Sequence, residues 1–99
     1  MDQAFNDRAA LPSKFPLGEV VATANVIRQI QQIEIMQALF RHARGDWGAL
    51  ESEDIATNER ALQMGGRLFS RYFSSQNLKF YIITEWNRSQ TTILLAEEY

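Results

Sequence analysis

The chain has 99 residues, 45% of them hydrophobic, and twelve acidic against ten basic side chains give a formal net charge of −2. This size predicts one domain with a core and a modest margin of stability. With no cysteine and one histidine, disulfides are excluded, and we expect neither a metal site nor a cofactor. No run has transmembrane length and no signal pattern opens the chain, which indicates a cytoplasmic protein with no membrane partner.

The N-terminal part predicts an arm followed by a strand. Residues 1–16 lack hydrophobic periodicity and contain Pro12 and Pro16, so we expect a flexible arm, with a single domain over residues 17–99. Residues 17–23 predict a short strand that adds to an edge of a C-terminal sheet. If that edge stayed uncovered, it would invite formation of a homodimer.

A helical pattern follows over residues 25–44, begun by Thr23 or Asn25 as a capping residue and ended by Gly45 in a left-handed conformation. Its apolar stripe consists of Val26, Ile27, Ile30, Ile33, Met36, Leu39 and Phe40. The spacing leaves open whether this is one helix or two short ones that break near residues 31–32.

A second helix is predicted from Ser52 to about Met64. Ser52 offers a hydroxyl cap, and Glu53 and Asp54 suit the positive end of the helix dipole. The glycine pair at 65–66 ends it. The residues predicted to face inward are Ile55, Ala61 and Leu62.

Three strand-like runs complete the chain, at residues 67–73, 79–86 and 91–95, joined by short polar loops that favour an antiparallel meander. The alternation in the middle run gives it an apolar face made by Phe80, Ile82, Thr84 and Trp86. Its other face, made by Lys79, Tyr81, Ile83 and Glu85, is predicted to be partly solvated. The fold class is therefore α+β, with one strand, two or three helices, and a three-stranded meander covered by helices on one face.

The charge distribution points to a contact surface. Residues 67–88 carry four basic residues against one acidic residue, whereas residues 51–64, which include the second helix, carry four acidic residues against one basic. This asymmetry predicts a basic, tyrosine-containing sheet face, although a solvated face with interspersed charge is the simpler reading. The candidate interaction residues are Trp47, Arg67, Arg71, Tyr72, Glu85 and Arg88. Trp47 is either a partner anchor or a core residue beneath its loop.

No catalytic set is predicted. His42 and Asp46 are four residues apart, but Gly45 is expected to end the helix between them, which favours a packed histidine and a loop-capping aspartate. A hydrolase built from His42 with Ser70, Ser74, Ser75 or Ser89 finds no support, because none of these serines lies in a nucleophile-elbow pattern. The sequence therefore favours a non-enzymatic protein.

Residues 17–99 also contain a series of motifs that resemble a family of small uncharacterised bacterial proteins carried on plasmids and integrated mobile elements. The motifs are Gly45-Asp46-Trp47-Gly48, Ile83-Thr84-Glu85, Arg88-Ser89, Thr91-Thr92-Ile93-Leu94-Leu95 and the ending Glu97-Glu98-Tyr99. Family members often have proline in place of Ala96, and aspartate or alanine-aspartate in place of Trp86-Asn87. The resemblance implies an accessory protein of a mobile element, which we expect to act through an unidentified protein partner.

A nucleic-acid function is the alternative. The order of one strand, two helices and three strands is similar to that of the RelE/ParE-like toxin family, so the basic sheet face offers a site for RNA binding or cleavage. The residues concerned are Arg67, Arg71, Tyr72, Lys79 and Arg88. This likeness concerns topology alone, and the acidic net charge weighs against it, because phosphate neutralisation needs a basic surplus.

Overall fold

The computed structural model describes residues 13–99. Its elements are β1 Glu19–Ala22, α1 Ala24–Gln29, α2 Gln32–Ala43, α3 Ser52–Met64, β2 Leu68–Phe73, β3 Lys79–Thr84, β4 Gln90–Leu95 and a final 3₁₀ turn, Ala96–Glu98. This confirms the predicted α+β class. Residues 1–12, which make up most of the predicted arm, lie outside the described residues.

The four strands form one sheet in the order β1-β4-β3-β2. Strands β2, β3 and β4 form the predicted antiparallel meander, and β1 adds to the edge of β4 in a parallel arrangement. The predicted pairing of the first strand is therefore confirmed, although it spans four residues instead of seven. Thr23 then caps α1, because its hydroxyl accepts a hydrogen bond from the Val26 amide at 3.1 Å.

The main core lies between the sheet and the helices α1 and α2. Phe80 and Ile82 face these helices and are at most 1% exposed, as the alternation predicted. The rest of this core consists of Val26, Ile30, Ile35, Ala38, Leu39, Tyr72, Ile93 and Leu95. Trp86 does not belong to it. Strand β3 ends at Thr84, and residues 85–88 form a turn in which Trp86 is 68% exposed.

The helical segment breaks into two, which is one of the two alternatives that the spacing left open. The predicted stripe is confirmed at Val26, Ile30 and Leu39 but is wrong at its other four positions, which are exposed. Ile30 adopts an extended conformation, with φ −124° and ψ 135°, and α2 restarts after Gln31. The break resets the helical phase, since each residue advances the side-chain direction by about 100°. The residues of α2 that face inward are Ile35, Ala38, Leu39, His42 and Ala43. Those left exposed by the shift are Ile33, Met36 and Phe40, along with Ile27 of α1.

A second core cluster joins α3 to the sheet. It consists of Phe15, Trp47, Ala61 and Leu68. Phe15 belongs to the predicted arm, yet it is only 6% exposed and packs against the rings of His42 and Trp47. The ordered domain thus includes the last residues of that arm.

Helix α3 differs from the prediction at its start. The N-cap is Glu51, whose side chain makes no capping hydrogen bond, and Ser52 is already the first helical residue. Ile55 is 37% exposed, and the inward positions are Asn58 and Ala61. These residues face inward because α3 packs against the outer edge of β2 and not against a face of the sheet.

The outer edge of β2 is closed by side-chain and loop contacts. The Asn58 amide donates to the Phe69 carbonyl at 2.8 Å, and its oxygen accepts from the Phe69 amide at 3.1 Å. The backbone of residues 47–49 bonds to both groups of Arg71. Gly48 is required here, because its φ is +78° and a Cβ would lie 2.0 Å from the Arg71 carbonyl oxygen. These contacts prevent another strand from pairing with β2.

Candidate functional site

A chain of buried polar side chains crosses the core between α2 and the sheet. His42 Nδ1 lies 2.6 Å from Ser70 Oγ, and His42 Nε2 lies 2.9 Å from Thr84 Oγ1. Thr84 Oγ1 contacts Thr91 Oγ1 at 2.7 Å, and Thr91 donates to the Leu17 carbonyl at 2.7 Å. The four side chains have no solvent exposure. This series of hydrogen bonds connects α2 to β2, β3, β4 and the segment before β1.

The direction of these hydrogen bonds fixes the state of the histidine. A carbonyl oxygen only accepts, so Thr91 must give its proton to Leu17. Thr84 must then donate to Thr91, which leaves His42 Nε2 as the donor to Thr84. His42 Nε2 therefore carries a proton, and in the neutral imidazole Nδ1 accepts from Ser70. Burial agrees with this assignment, since it lowers the pKa of His42 to about 3.

The contact of His42 with Ser70 is the geometry that a serine nucleophile would need, and sequence spacing gave no sign of it. Both side chains are completely shielded from solvent, so no substrate reaches them in this structure. The Nε2–H of His42 is held by Thr84 and not by a carboxylate, so nothing here stabilises an imidazolium. We therefore assign these residues to stability and not to catalysis.

The His42–Asp46 pair, which the sequence disfavours, does not form. Asp46 instead accepts two hydrogen bonds from the Arg41 guanidinium, at 2.8 and 3.2 Å, and a third from the Gly48 amide. The bonds from Arg41 hold the pKa of the Asp46 carboxyl below its ordinary value. Asp46 thus shapes the loop that follows α2.

Two of the candidate interaction residues are buried. Trp47 is 3% exposed, and its indole donates to Glu59 at 2.9 Å, which ties the loop to α3. Tyr72 is also 3% exposed and donates to the Asp46 carbonyl at 2.7 Å. Burial raises the pKa of the Tyr72 hydroxyl well above its ordinary value. Neither side chain is presented to a partner in this structure.

Glu85 and Arg88 lie in the turn between β3 and β4. The Arg88 guanidinium donates to the carbonyls of Gly66, Glu85 and Ala61, the last at 3.0 Å. It therefore neutralises carbonyl groups at the end of α3, as a cation at a helix C-terminus does. Arg88 is a structural residue, and the half-buried Glu85 contributes its backbone to the same turn.

Arg67 and Arg71 project from the sheet face opposite α1 and α2, where aromatic rings gather. The Phe69 and Tyr81 rings are 4.6 Å apart, and Tyr99 contacts both, with ring centroids at 5.8 and 5.6 Å. Arg67 donates to the Tyr99 hydroxyl and lies 5.6 Å from the centre of its ring. We call Arg67, Phe69, Arg71, Tyr81 and Tyr99 the aromatic–arginine patch. A shallow cleft of about 280 Å³ extends from it towards α3.

A larger concavity lies on the helical side of the sheet, over β1 and β4. It has a volume of about 370 Å³. Its lining is apolar except for Gln32 and consists of Val20, Ala22, Ile27, Ile30, Gln32, Ile35, Met36, Leu39 and Ile93. We call it the apolar groove. It contains no titratable side chain, so it can bind apolar groups but supplies no acid or base.

Residues 13–99 contain no group of three or more histidine, cysteine or carboxylate side chains placed to hold a metal ion. No helix in this part of the chain is long and apolar enough to cross a bilayer. Comparisons with protein-family models, with curated proteins and with solved structures give no match to this chain. The resemblance to mobile-element proteins and the topological likeness to RelE/ParE-like toxins therefore remain predictions.

Proposed function

We propose that the protein is a small non-enzymatic accessory protein of a bacterial mobile element, located in the cytoplasm, which acts by contact with another protein. The observation that carries this proposal is the aromatic–arginine patch. Three aromatic rings and the Arg67 guanidinium lie together on one side of a sheet whose other side is covered by helices. The Arg71 side chain lies on the same side, and its guanidinium donates to the Ala49 carbonyl at 3.0 Å. Tyrosine and arginine are enriched among the residues that dominate binding energy at protein interfaces.

The arrangement of the patch suits a protein ligand. Tyr99 is 65% exposed and Arg67 is also exposed, while Phe69, Arg71 and Tyr81 are half-buried. The rings hold one another in place, so little side-chain entropy is lost when a partner covers them. Because the patch has two arginines, the segment that binds it should bring carboxylates beside apolar side chains.

The test compares patch variants in partner capture. Tagged wild-type protein is immobilised and incubated with lysate of a bacterium that carries such elements, and bound proteins are identified. The variants Arg67→Glu and Tyr99→Ala are treated in parallel. Arg60→Glu is the matched control. Arg60 is exposed on α3, so this substitution makes the same charge reversal at a surface position outside the patch. We expect a partner that is retained by wild type and by Arg60→Glu and lost with both patch variants.

The captured partner is then tested directly. Peptides from its acidic segments are labelled and titrated with the protein in a fluorescence anisotropy assay. Arg67→Glu should weaken binding by more than about tenfold, since it replaces an attractive charge pair by a repulsive one. A partner that binds Arg67→Glu as well as wild type would refute the patch as the contact surface.

A second function is favoured by the same residues. Aromatic rings beside arginines on a β-sheet are also a platform on which single-stranded bases stack. Labelled single-stranded RNA of mixed sequence is titrated at low salt, and its affinity should fall with salt and with Arg67→Ala. Absence of binding at low salt would remove this candidate, and the partner-capture result would stand independently of it.

A further inference from the structure

The outer edge of β1 exposes backbone groups that no described residue pairs. The amides of Glu19 and Thr23 donate to Ser89 and Ile93 beside β4, both at 3.0 Å. Because N–H and C=O groups alternate in direction along a strand, those of Val20 and Ala22 point away from β4. The structure thus treats its two sheet edges differently, since Asn58 and the loop at Gly48 close the edge of β2.

The sequence of β1 leaves the middle of the strand open to pairing. Its residues are Glu-Val-Val-Ala, so the strand is short and begins with a charged residue, two features that limit edge pairing, but neither lysine nor proline interrupts residues 20–22. A strand from a partner could therefore form backbone hydrogen bonds with Val20 and Ala22 without displacing any described contact.

The apolar groove lies directly beside this edge. Val20 and Ala22 belong to both features, since their backbones face outward and their side chains line the groove. Val20 is 42% exposed, Ile27 60% and Met36 40%. One occupant can cover the groove and the edge together only if it brings a strand with free hydrogen-bonding groups. A small apolar molecule would leave the strand edge unpaired.

We propose that the occupant is a second copy of this chain, which pairs its own β1 antiparallel to β1 about a two-fold axis at Val21. In this register Val20 lies opposite Ala22 of the second copy, and Ala22 lies opposite its Val20. Each of these two pairs exchanges two backbone hydrogen bonds. Symmetric registers centred on Val20 or on Ala22 leave part of the four-residue strand without a partner, so this register uses the edge most fully.

The side chains fit the same arrangement. A two-fold axis perpendicular to the sheet places the helices of both copies on one side, so the two apolar grooves meet there and bring Ile27 and Met36 of each copy towards the axis. On the other side, Val21 packs against Val21 of the second copy. Glu19 then lies opposite Thr23, so no two charged residues of β1 are paired directly. The Glu98 carboxylate, which accepts from Thr23 and Asn25, lies beside that end of the strand, where salt screens its repulsion with Glu19.

This interface is independent of the proposed function. Strands β1 and β2 lie at opposite edges of the sheet, and the aromatic–arginine patch is built on β2 and β3. The proposed dimer joins two four-stranded sheets and leaves both patches accessible.

Single-cysteine variants test the register, because the natural chain has no cysteine. Val21→Cys places the two thiols in a non-hydrogen-bonded pair, whose Cα atoms are about 4.5 Å apart and so within reach of a disulfide. Val20→Cys places them diagonally, out of reach. We expect mild oxidation to cross-link Val21→Cys and not Val20→Cys. Equal cross-linking of both variants, or of neither, would overturn the proposed register.

Sedimentation of the full chain over a wide concentration series tests the dimer itself. Ile27→Lys should weaken dimerisation by more than about tenfold, because it carries a charge into the joined grooves. Ala22→Pro should do the same by removing an outward N–H, while the bonds of β1 to β4 remain. Met64→Lys is the control, since Met64 is 82% exposed on α3 at the other edge. A wild-type protein that stays monomeric throughout, or an Ile27→Lys variant that dimerises like wild type, would overturn the proposal.

Discussion

His42 Nε2 donates to Thr84 Oγ1 across 2.9 Å inside a core from which solvent is excluded. The bond joins α2 to the central strand β3 and depends on a neutral imidazole. Protonation would turn Nδ1 into a donor facing the Ser70 hydroxyl, and it would leave a charge without a carboxylate among its hydrogen-bond partners. The core of this protein therefore contains a group whose charge state controls stability.

The first prediction concerns pH. Burial lowers the pKa of His42 to about 3, whereas an exposed histidine in the unfolded chain titrates near 6.5. Between these values the unfolded state binds the extra proton, so the free energy of unfolding falls as pH falls below 6.5. The slope approaches about 1.4 kcal/mol per pH unit, which gives a loss of about 2 kcal/mol at pH 5. Urea denaturation at pH 7.5 and at pH 5 measures it.

The control for this prediction is His42→Gln. It should be less stable than wild type at pH 7.5, but its stability should change little down to pH 5. Asp46 and Glu98 do not confuse the comparison, because the folded state lowers their pKa values and their contribution is lost only in the more acidic range where carboxylates titrate. Equal pH dependence in both proteins would show that His42 does not carry the effect.

The second prediction concerns Thr84, which accepts from His42 and donates to Thr91. Thr84→Val keeps the shape of the side chain but leaves the His42 N–H and a Thr91 oxygen without this partner. We expect a loss of about 1–3 kcal/mol in the free energy of unfolding, the usual cost of an unpaired buried polar group. Thr92→Val, on the other face of β4, is the matched control and should change stability by less than about 0.5 kcal/mol. Equal effects would contradict the role of the buried chain.

The third prediction concerns the closed edge of β2. Asn58→Ala removes both hydrogen bonds to the Phe69 backbone, so it should lower the free energy of unfolding by about 1–3 kcal/mol. Hydrogen exchange should also become faster at the Phe69 amide, which Asn58 protects. Thr57→Ala, one position earlier on the exposed face of α3, provides the control. If Phe69 exchanges at the wild-type rate in Asn58→Ala, the edge is closed by other contacts.

Local patterns were sufficient to predict the sheet, and they failed where two helical phases fit the same residues. The alternation in residues 80–84 allows only one assignment of faces, and the structure confirms that Phe80, Ile82 and Thr84 face the helices. Ile83, on the face predicted to be partly solvated, is also buried. The helical segment contains apolar residues at both possible phases, and neither proline nor glycine marks the break at Ile30. In the folded protein, contacts with the sheet favour the helix orientation that buries Ile35 and His42. Apolar side chains that this orientation leaves exposed, including Ile27 and Met36, line the apolar groove.

The site residues were less predictable, because their contacts join distant parts of the chain. His42 and Ser70 are 28 positions apart, and their meeting depends on how α2 crosses β2. The sequence correctly placed Arg71 on a strand, whereas Arg67 lies one residue before β2. We predicted Tyr72 as a surface residue beside Arg71. Neighbouring residues of a strand point to opposite faces, so this alternation already implied that Tyr72 points into the core. Tyr99 was missed as a patch residue because a terminal residue has no periodicity.

The fourth prediction separates a structural arginine from a contact arginine. Arg88 holds carbonyls of Ala61, Gly66 and Glu85 with one guanidinium, which a lysine ammonium on a flexible stem cannot span. We expect Arg88→Lys to lower the free energy of unfolding by about 1.5–3 kcal/mol, the range for hydrogen bonds to charged groups. Arg44→Lys, at the exposed end of α2, should leave it nearly unchanged.

Arg67→Lys should weaken partner binding with little loss of stability, because Arg67 is exposed and contacts only Tyr99 in the hydrogen bonds described. The opposite result, with Arg88→Lys as stable as wild type but defective in partner capture, would return Arg88 to the contact surface.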